Sequence, residues 1–96
     1  MSAYLLAEIE ITNPDGYKQY TATVPATIAK YGGRFLVRGG AHQTIEGEWK
    51  PSRLVVIEFP SMEQARRWYD SEEYRAPKAM RIKAGRTNLL FVDGVS

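Results

Sequence analysis

The sequence predicts an α+β domain of ferredoxin-like βαββαβ order, built on a four-stranded antiparallel sheet. Three observations carry this expectation. Residues 54–59, LVVIEF, are a nearly unbroken run of β-branched, aliphatic and aromatic side chains, which reads as a strand covered on both faces. Residues 4–11 and 34–38 alternate with the period of two that a strand imposes. Tyr17, Tyr20, Val24, Ile28 and Tyr31 recur at three- and four-residue spacing, the apolar stripe of a helix.

In the first strand Leu5, Ala7, Ile9 and Ile11 point one way, and Tyr4, Leu6, Glu8 and Glu10 the other. Asn13 is placed to cap the first helix, Pro14 sits where its missing N–H costs nothing, and Asp15 lies near the positive helix end. Pro25 removes a helical hydrogen bond and predicts a kink or restart at residues 21–24. Gly32 and Gly33 close the helix and release the second strand, residues 34–38, with Phe35 and Val37 on one face and Arg34, Leu36 and Arg38 on the other. Gly39 and Gly40 mark a bulge or turn. Residues 41–52 form a polar connection in which 43–46 offer an extension of the strand, and in which Ile45 and Trp49 are expected to be covered.

Pro60 stops the 54–59 strand. Ser61 and Gln64 then form a capping box worth about 1 kcal/mol, and Met62, Ala65, Trp68 and Tyr69 share one helical face. Ser71, Glu72 and Glu73 start a further helical segment, interrupted at Pro77 and anchored by Tyr74, Met80 and Ile82. Gly85 ends it. Residues 88–92 are the last strand, with Leu89 and Phe91 on one face and Leu90 and Val92 on the other.

One sheet face therefore collects Leu5, Ala7, Ile9, Phe35, Val37, Val55, Ile57, Phe59, Leu89 and Phe91 under the helices. The opposite face carries Tyr4, Leu6, Leu36, Leu54, Val56, Leu90 and Val92, too much apolar area for a monomer to leave open. A second copy on a two-fold axis is the simplest cover, which makes the expected assembly a dimeric α+β barrel held sheet to sheet. At 96 residues the chain is a single domain, 1–96. It has no cysteine, so disulfides, thiolate metal sites and a catalytic thiol are excluded. Residues 1–11 lack the pattern of a signal peptide, and no apolar run approaches spanning length, so a cytoplasmic protein with no membrane partner is expected. Thirteen basic residues against eleven acidic give a net charge of +2, too balanced for a nucleic-acid surface. Acid at Glu8, Glu10 and Glu58 would also repel phosphate on the face that RNA-recognition domains of this topology use.

YGGRFLVRGG (31–40), EGEWKPSRLVVIEFPS (46–61) and ARRWYDSEEY (65–74) together resemble the domain-of-unknown-function family numbered 1330. The resemblance spans nearly the whole chain. It implies a ferredoxin-like, dimeric α+β barrel and lends no established reaction; similar barrels include cofactor-free monooxygenases and small-molecule isomerases, an analogy of fold.

Candidate site residues are weighed on two readings. Glu8, Arg34, Arg38 and Glu58 are charges on the sheet face expected to be buried in the dimer, where each must find a partner or shift its pKa. They are either interface ion pairs or a small cavity in which Arg38 clamps a carboxylate or enolate while Glu58 or Glu8 moves a proton. His42, the sole histidine, is either a proton shuttle or a solvated loop residue. Tyr17, Tyr20, Trp68, Tyr69 and Tyr74 are either core or the lining of a pocket between helices and sheet, with Arg81 beside them; Arg75, Lys78, Arg81 and Arg86 otherwise read as a solvated helix edge. One histidine and scattered carboxylates supply no metal site, and no cofactor is implied. The catalytic candidates are Arg38, Glu58 and His42; the ligand-binding candidates are Glu8, Arg34, Tyr17, Trp68 and Arg81. The expected function is a homodimer binding a small organic acid or aromatic molecule, with cofactor-independent acid/base, monooxygenase or isomerase chemistry. The alternative is a non-catalytic dimer whose polar sheet residues are structural.

Overall fold

In the computed structural model, which describes residues 1–95, the elements follow the expected order: β1 (Ala3–Ile11), α1 (Pro14–Lys30), β2 (Arg34–Arg38), β3 (Leu54–Phe59), α2 (Met62–Tyr69), α3 (Glu72–Ala84) and β4 (Gly85–Asp93). The four strands form one antiparallel sheet in the order β2-β3-β1-β4. This is the ferredoxin-like βαββαβ fold, with the helices on one face. No helix among the described residues is long and apolar enough to cross a membrane.

Each helix starts on the side chain its sequence offers. The Oδ1 of Asn13 accepts from the Gly16 N–H at 3.1 Å, Ser61 Oγ from the Gln64 N–H at 3.1 Å, and Ser71 Oγ from the Tyr74 N–H at 3.2 Å. Such caps satisfy amides that have no intrahelical acceptor. The core then closes between Leu5, Ala7, Ile9, Val55, Ile57 and Phe59 of the sheet and Tyr17, Tyr20, Val24, Ile28, Ala65, Trp68 and Tyr74 of the helices, all buried.

Four expectations are corrected. Both prolines lie inside unbroken helices, Pro25 in α1 and Pro77 in α3, so neither helix restarts. The second strand does not alternate simply: Arg34 faces Glu58 and Phe35 faces Ile57, but Val37 faces Val56 and Arg38 faces Val55, with a bulge at Leu36. The extra residue reverses the faces that follow it. Val37 thereby joins the open face and Arg38 the helix face, the opposite of the alternating assignment. Residues 43–46 form no strand, and within the single chain Ile45 and Trp49 are exposed at 82% and 62%. Finally β4 begins at Gly85 rather than at residue 88. A Cβ at Gly85 would fall 2.3 Å from the Glu10 carbonyl oxygen, so glycine lets the strand start directly at the helix end.

Candidate site between the helices and the sheet

A cavity of about 30 Å³ lies between the helix layer and the sheet, lined by core residues of β1 and β3, by Tyr17, Tyr20, Thr21 and Val24 of α1, and by Trp68, Tyr74 and Arg81 from α2 and α3. Arg38 and Arg53 complete its wall. That is room for about two waters. Outside it an open cleft of about 570 Å³ shares four of these residues, Tyr17, Thr21, Arg38 and Arg53, so the two arginines stand at the mouth between cleft and cavity.

Each arginine is held by a local cause. Pro25 has no N–H to give the carbonyl of Thr21 four residues earlier. Arg38 Nη2 donates to that oxygen at 3.3 Å, while its guanidinium lies 4.6 Å from the Phe35 ring centre. Arg53, just ahead of β3, lies 5.3 Å from the Tyr17 ring centre, and its Nε is buried with no hydrogen-bond partner. Arg81 is 4% exposed. Its Nε donates to the Tyr74 hydroxyl at 3.2 Å, and Tyr74 and Tyr20 share a hydrogen bond of 3.0 Å. Burial pushes both phenols above the usual tyrosine range, so they stay protonated. At Arg81 burial, the largest single influence, opposes the charge, but Tyr74 together with Tyr20 and Tyr69 raises the guanidinium above its usual range and holds it cationic.

None of these three arginines forms a salt bridge among the described residues, and no Asp or Glu lines the cavity. Of the three, Arg81 is buried, Arg53 half-buried and Arg38 exposed, and a guanidinium buried as Arg81 is, without counter-charge, costs on the order of several kcal/mol. The site is thus apolar-walled, cationic and rich in hydrogen-bond donors, a chemistry suited to an anionic or acceptor oxygen.

The predicted residues fall in three places. Tyr17, Trp68, Arg81 and Arg38 come together at this cavity. Arg81 is corrected from the solvated-edge reading, since α3 turns it inward against Tyr74. Glu8, Arg34 and Glu58 lie on the open face, separated from Arg38 by the sheet. There Glu58 sits between its cross-strand neighbours, accepting from Arg34 Nε at 2.7 Å and from the Tyr4 hydroxyl at 3.3 Å. The Arg34 hydrogen bond holds the Glu58 carboxyl below its usual range. Glu8 accepts from Asn88 Nδ2 at 3.4 Å and borders a cleft with Leu6, Val37, Trp49, Val56 and Leu90. His42 is an exposed residue of the 39–53 loop, its Nε2 2.9 Å from the Pro51 carbonyl and its Nδ1 3.4 Å from that of Gly40. Arg38, Glu58 and His42 are therefore not one constellation. Sequence reasoning missed Arg53 altogether. Its one signal is Gly39, whose positive φ of 71° and missing Cβ leave room for the Arg53 guanidinium.

The fold and the cavity define a ferredoxin-like α+β protein with a candidate ligand site between helices and sheet. The chain belongs to the family described as Domain of unknown function (DUF1330), whose model matches residues 2–95. No curated protein sequence matches it significantly. Among solved structures it is similar to a protein of unknown function from Rhodopseudomonas palustris, with TM-score 0.76 and 16% identity, covering 99% of this chain and 83% of that one. A dimeric ferredoxin-like protein of unknown function from Jannaschia sp. CCS1 superposes with TM-score 0.73 at 10% identity, over 98% and 100% of the two chains. SnoaB, a cofactor-independent oxygenase from Streptomyces nogalater, does so with TM-score 0.68 at 11% identity, over 99% and 94%. At these identities the likeness is one of fold.

Proposed function

We propose that the protein is a homodimer that binds a small organic acid, or an aromatic bearing an acidic oxygen, in the cleft whose inner end is the cavity between its helices and its sheet. One observation carries this reading: three guanidinium groups line one apolar cavity that contains no carboxylate. A bound carboxylate or enolate supplies the missing counter-charge, and Arg38 and Arg53 stand where it would enter. The buried phenols of Tyr20 and Tyr74, held protonated by burial, offer hydrogen bonds to an oxygen at the inner end, which supports cofactor-independent chemistry of the isomerase or oxygenase kind on a ligand that gains charge there. The cofactor-independent oxygenase of similar fold is in keeping with that chemistry.

The sheet's open face supports the homodimer. Leu6, Leu90 and Val92 are 40%, 55% and 45% exposed, and Leu36 and Val37 join them, a patch that a second copy covers on a two-fold axis. The similar protein described as dimeric agrees with this assembly. A second reading, a non-catalytic dimer, draws on the Arg34–Glu58 pair, whose bond of 2.7 Å serves structure equally well.

Arg38→Ala separates the two. Because Arg38 lies on the helix face, its loss should weaken benzoate binding by about tenfold in titration calorimetry while sedimentation still shows a dimer. Unchanged binding, or a monomer, would favour the structural reading.

A further inference from the structure

We propose that the deep end of the cavity is an acceptor-oxygen subsite built by Tyr20, Tyr74 and Arg81, and that the ligand is a keto or enolic acid with an apolar body. The inference rests on the anion-binding reading above and names its ligand class. It comes from counting protons. Tyr20 and Tyr74 bring two hydroxyl protons, and one of them is spent in the 3.0 Å bond between them. Arg81 Nε donates to the Tyr74 oxygen, so it consumes an acceptor and frees no proton site. Whichever tyrosine is the donor, one O–H proton is left with no partner among the described residues, in the wall of a buried cavity. A buried donor left unmade is costly, and the group that satisfies it must offer a lone pair.

The two ends of the site then ask for different oxygens. The inner cavity has room for one small group, a carbonyl or enol oxygen and its carbon. The outer cleft, lined by Arg38, Arg53 and Lys18 against one acid, Asp15, has room for the body of the ligand and its carboxylate. In the enolate, which has lost a proton from carbon, the inner oxygen carries negative charge, and Arg81 beside the phenols is positioned to stabilise it. An acid with no second oxygen would fill the same space and leave the free hydroxyl unpaired.

Two acids of nearly equal shape test this, 4-acetylbenzoate, which carries the acceptor oxygen, and 4-isopropylbenzoate, which lacks it. In titration calorimetry the wild-type protein should prefer the acetyl compound by about tenfold. The same count makes a sharper forecast for variants. Tyr20→Phe and Tyr74→Phe each leave one free hydroxyl proton and should retain the preference, whereas the double variant, left with only the Arg81 N–H groups at that end, should show a clearly smaller preference while still binding 4-isopropylbenzoate. Equal affinity of the wild-type protein for the two acids overturns the subsite and leaves the anion-binding reading standing; so does a preference that survives undiminished in a folded double variant. Binding of neither acid overturns both. If circular dichroism shows the double variant unfolded, the wild-type comparison decides alone.

Discussion

Arg38 owes its place to a proline on another element. Pro25 leaves the Thr21 carbonyl without its helical donor, and Arg38 takes that oxygen at 3.3 Å. A residue that reads in isolation as a helix fault is thus part of an arginine's support. Gly39 plays the matching part for Arg53. A Cβ there would lie 2.3 Å from Arg53 Nη1, and the backbone sits at φ 71°. Gly39→Ala should therefore cost roughly 1–2 kcal/mol of stability for the left-handed backbone and also displace the guanidinium, weakening benzoate binding several-fold. Thermal melts and calorimetry on the same variant read the two effects separately. A variant that loses stability but binds as well as the wild type would remove Arg53 from the site.

Between elements, the bulge in β2 matters most. One extra residue at Leu36 sends Arg38 to the helix face and Val37 to the open face, so the cavity gains a cation and the exposed patch gains a valine. A second inter-element tie joins the end of α1 to the start of α3, where Glu73 accepts from Lys30 Nζ and, at 2.9 Å, from the Tyr31 hydroxyl. Lys30's hydrogen bond, then that of Glu73's own backbone amide and Tyr31's, lowers the Glu73 carboxyl to about 2. A carboxyl depressed in the folded state contributes stability that is fully present above its unfolded value and is lost as pH falls through the folded one. Unfolding midpoints of the wild-type protein should therefore drop between about pH 4.5 and 2 more steeply than those of Glu73→Gln, which forfeits the contribution at neutral pH. Solvent reaches both partners, so the difference is modest. Parallel pH curves for the two proteins would show that the pair adds nothing to folding.

At the scale of the whole molecule, the helices cover one side of the sheet and leave the other open. On that open side Leu6 stands between Val56 and Leu90 on neighbouring strands, an apolar row across the sheet. Glu58, Arg34 and Tyr4 form a bonded polar group on the same face. An assembly that packs two such faces together buries the row and keeps the polar group paired within its own chain. Leu90→Glu should convert the proposed dimer to a monomer in analytical ultracentrifugation, because a charge in the middle of an apolar contact is left unpaired. The cavity faces away from that interface, so the variant should still bind benzoate. A dimer that survives the change would place the interface elsewhere.

The sequence by itself determined the order of elements, the capping residues and most of the core. These depend on local chemistry and on periods of two and 3.6 residues, which are visible in a single chain. It also singled out Arg38, Arg81, Tyr17 and Trp68. Only the tertiary structure decided which side of the sheet each charge occupies. Arg38 changes face through a bulge that no periodicity announces, and Glu58 stays on the other side, so the cavity imagined for the two together does not form. Arg53 was invisible for a related reason: an arginine at the mouth of a strand looks like any surface cation until the fold brings Gly39 and Tyr17 against it. Long-range packing turned separately legible residues into one cationic, acid-free cavity, because register and burial depend on partners far away in the chain.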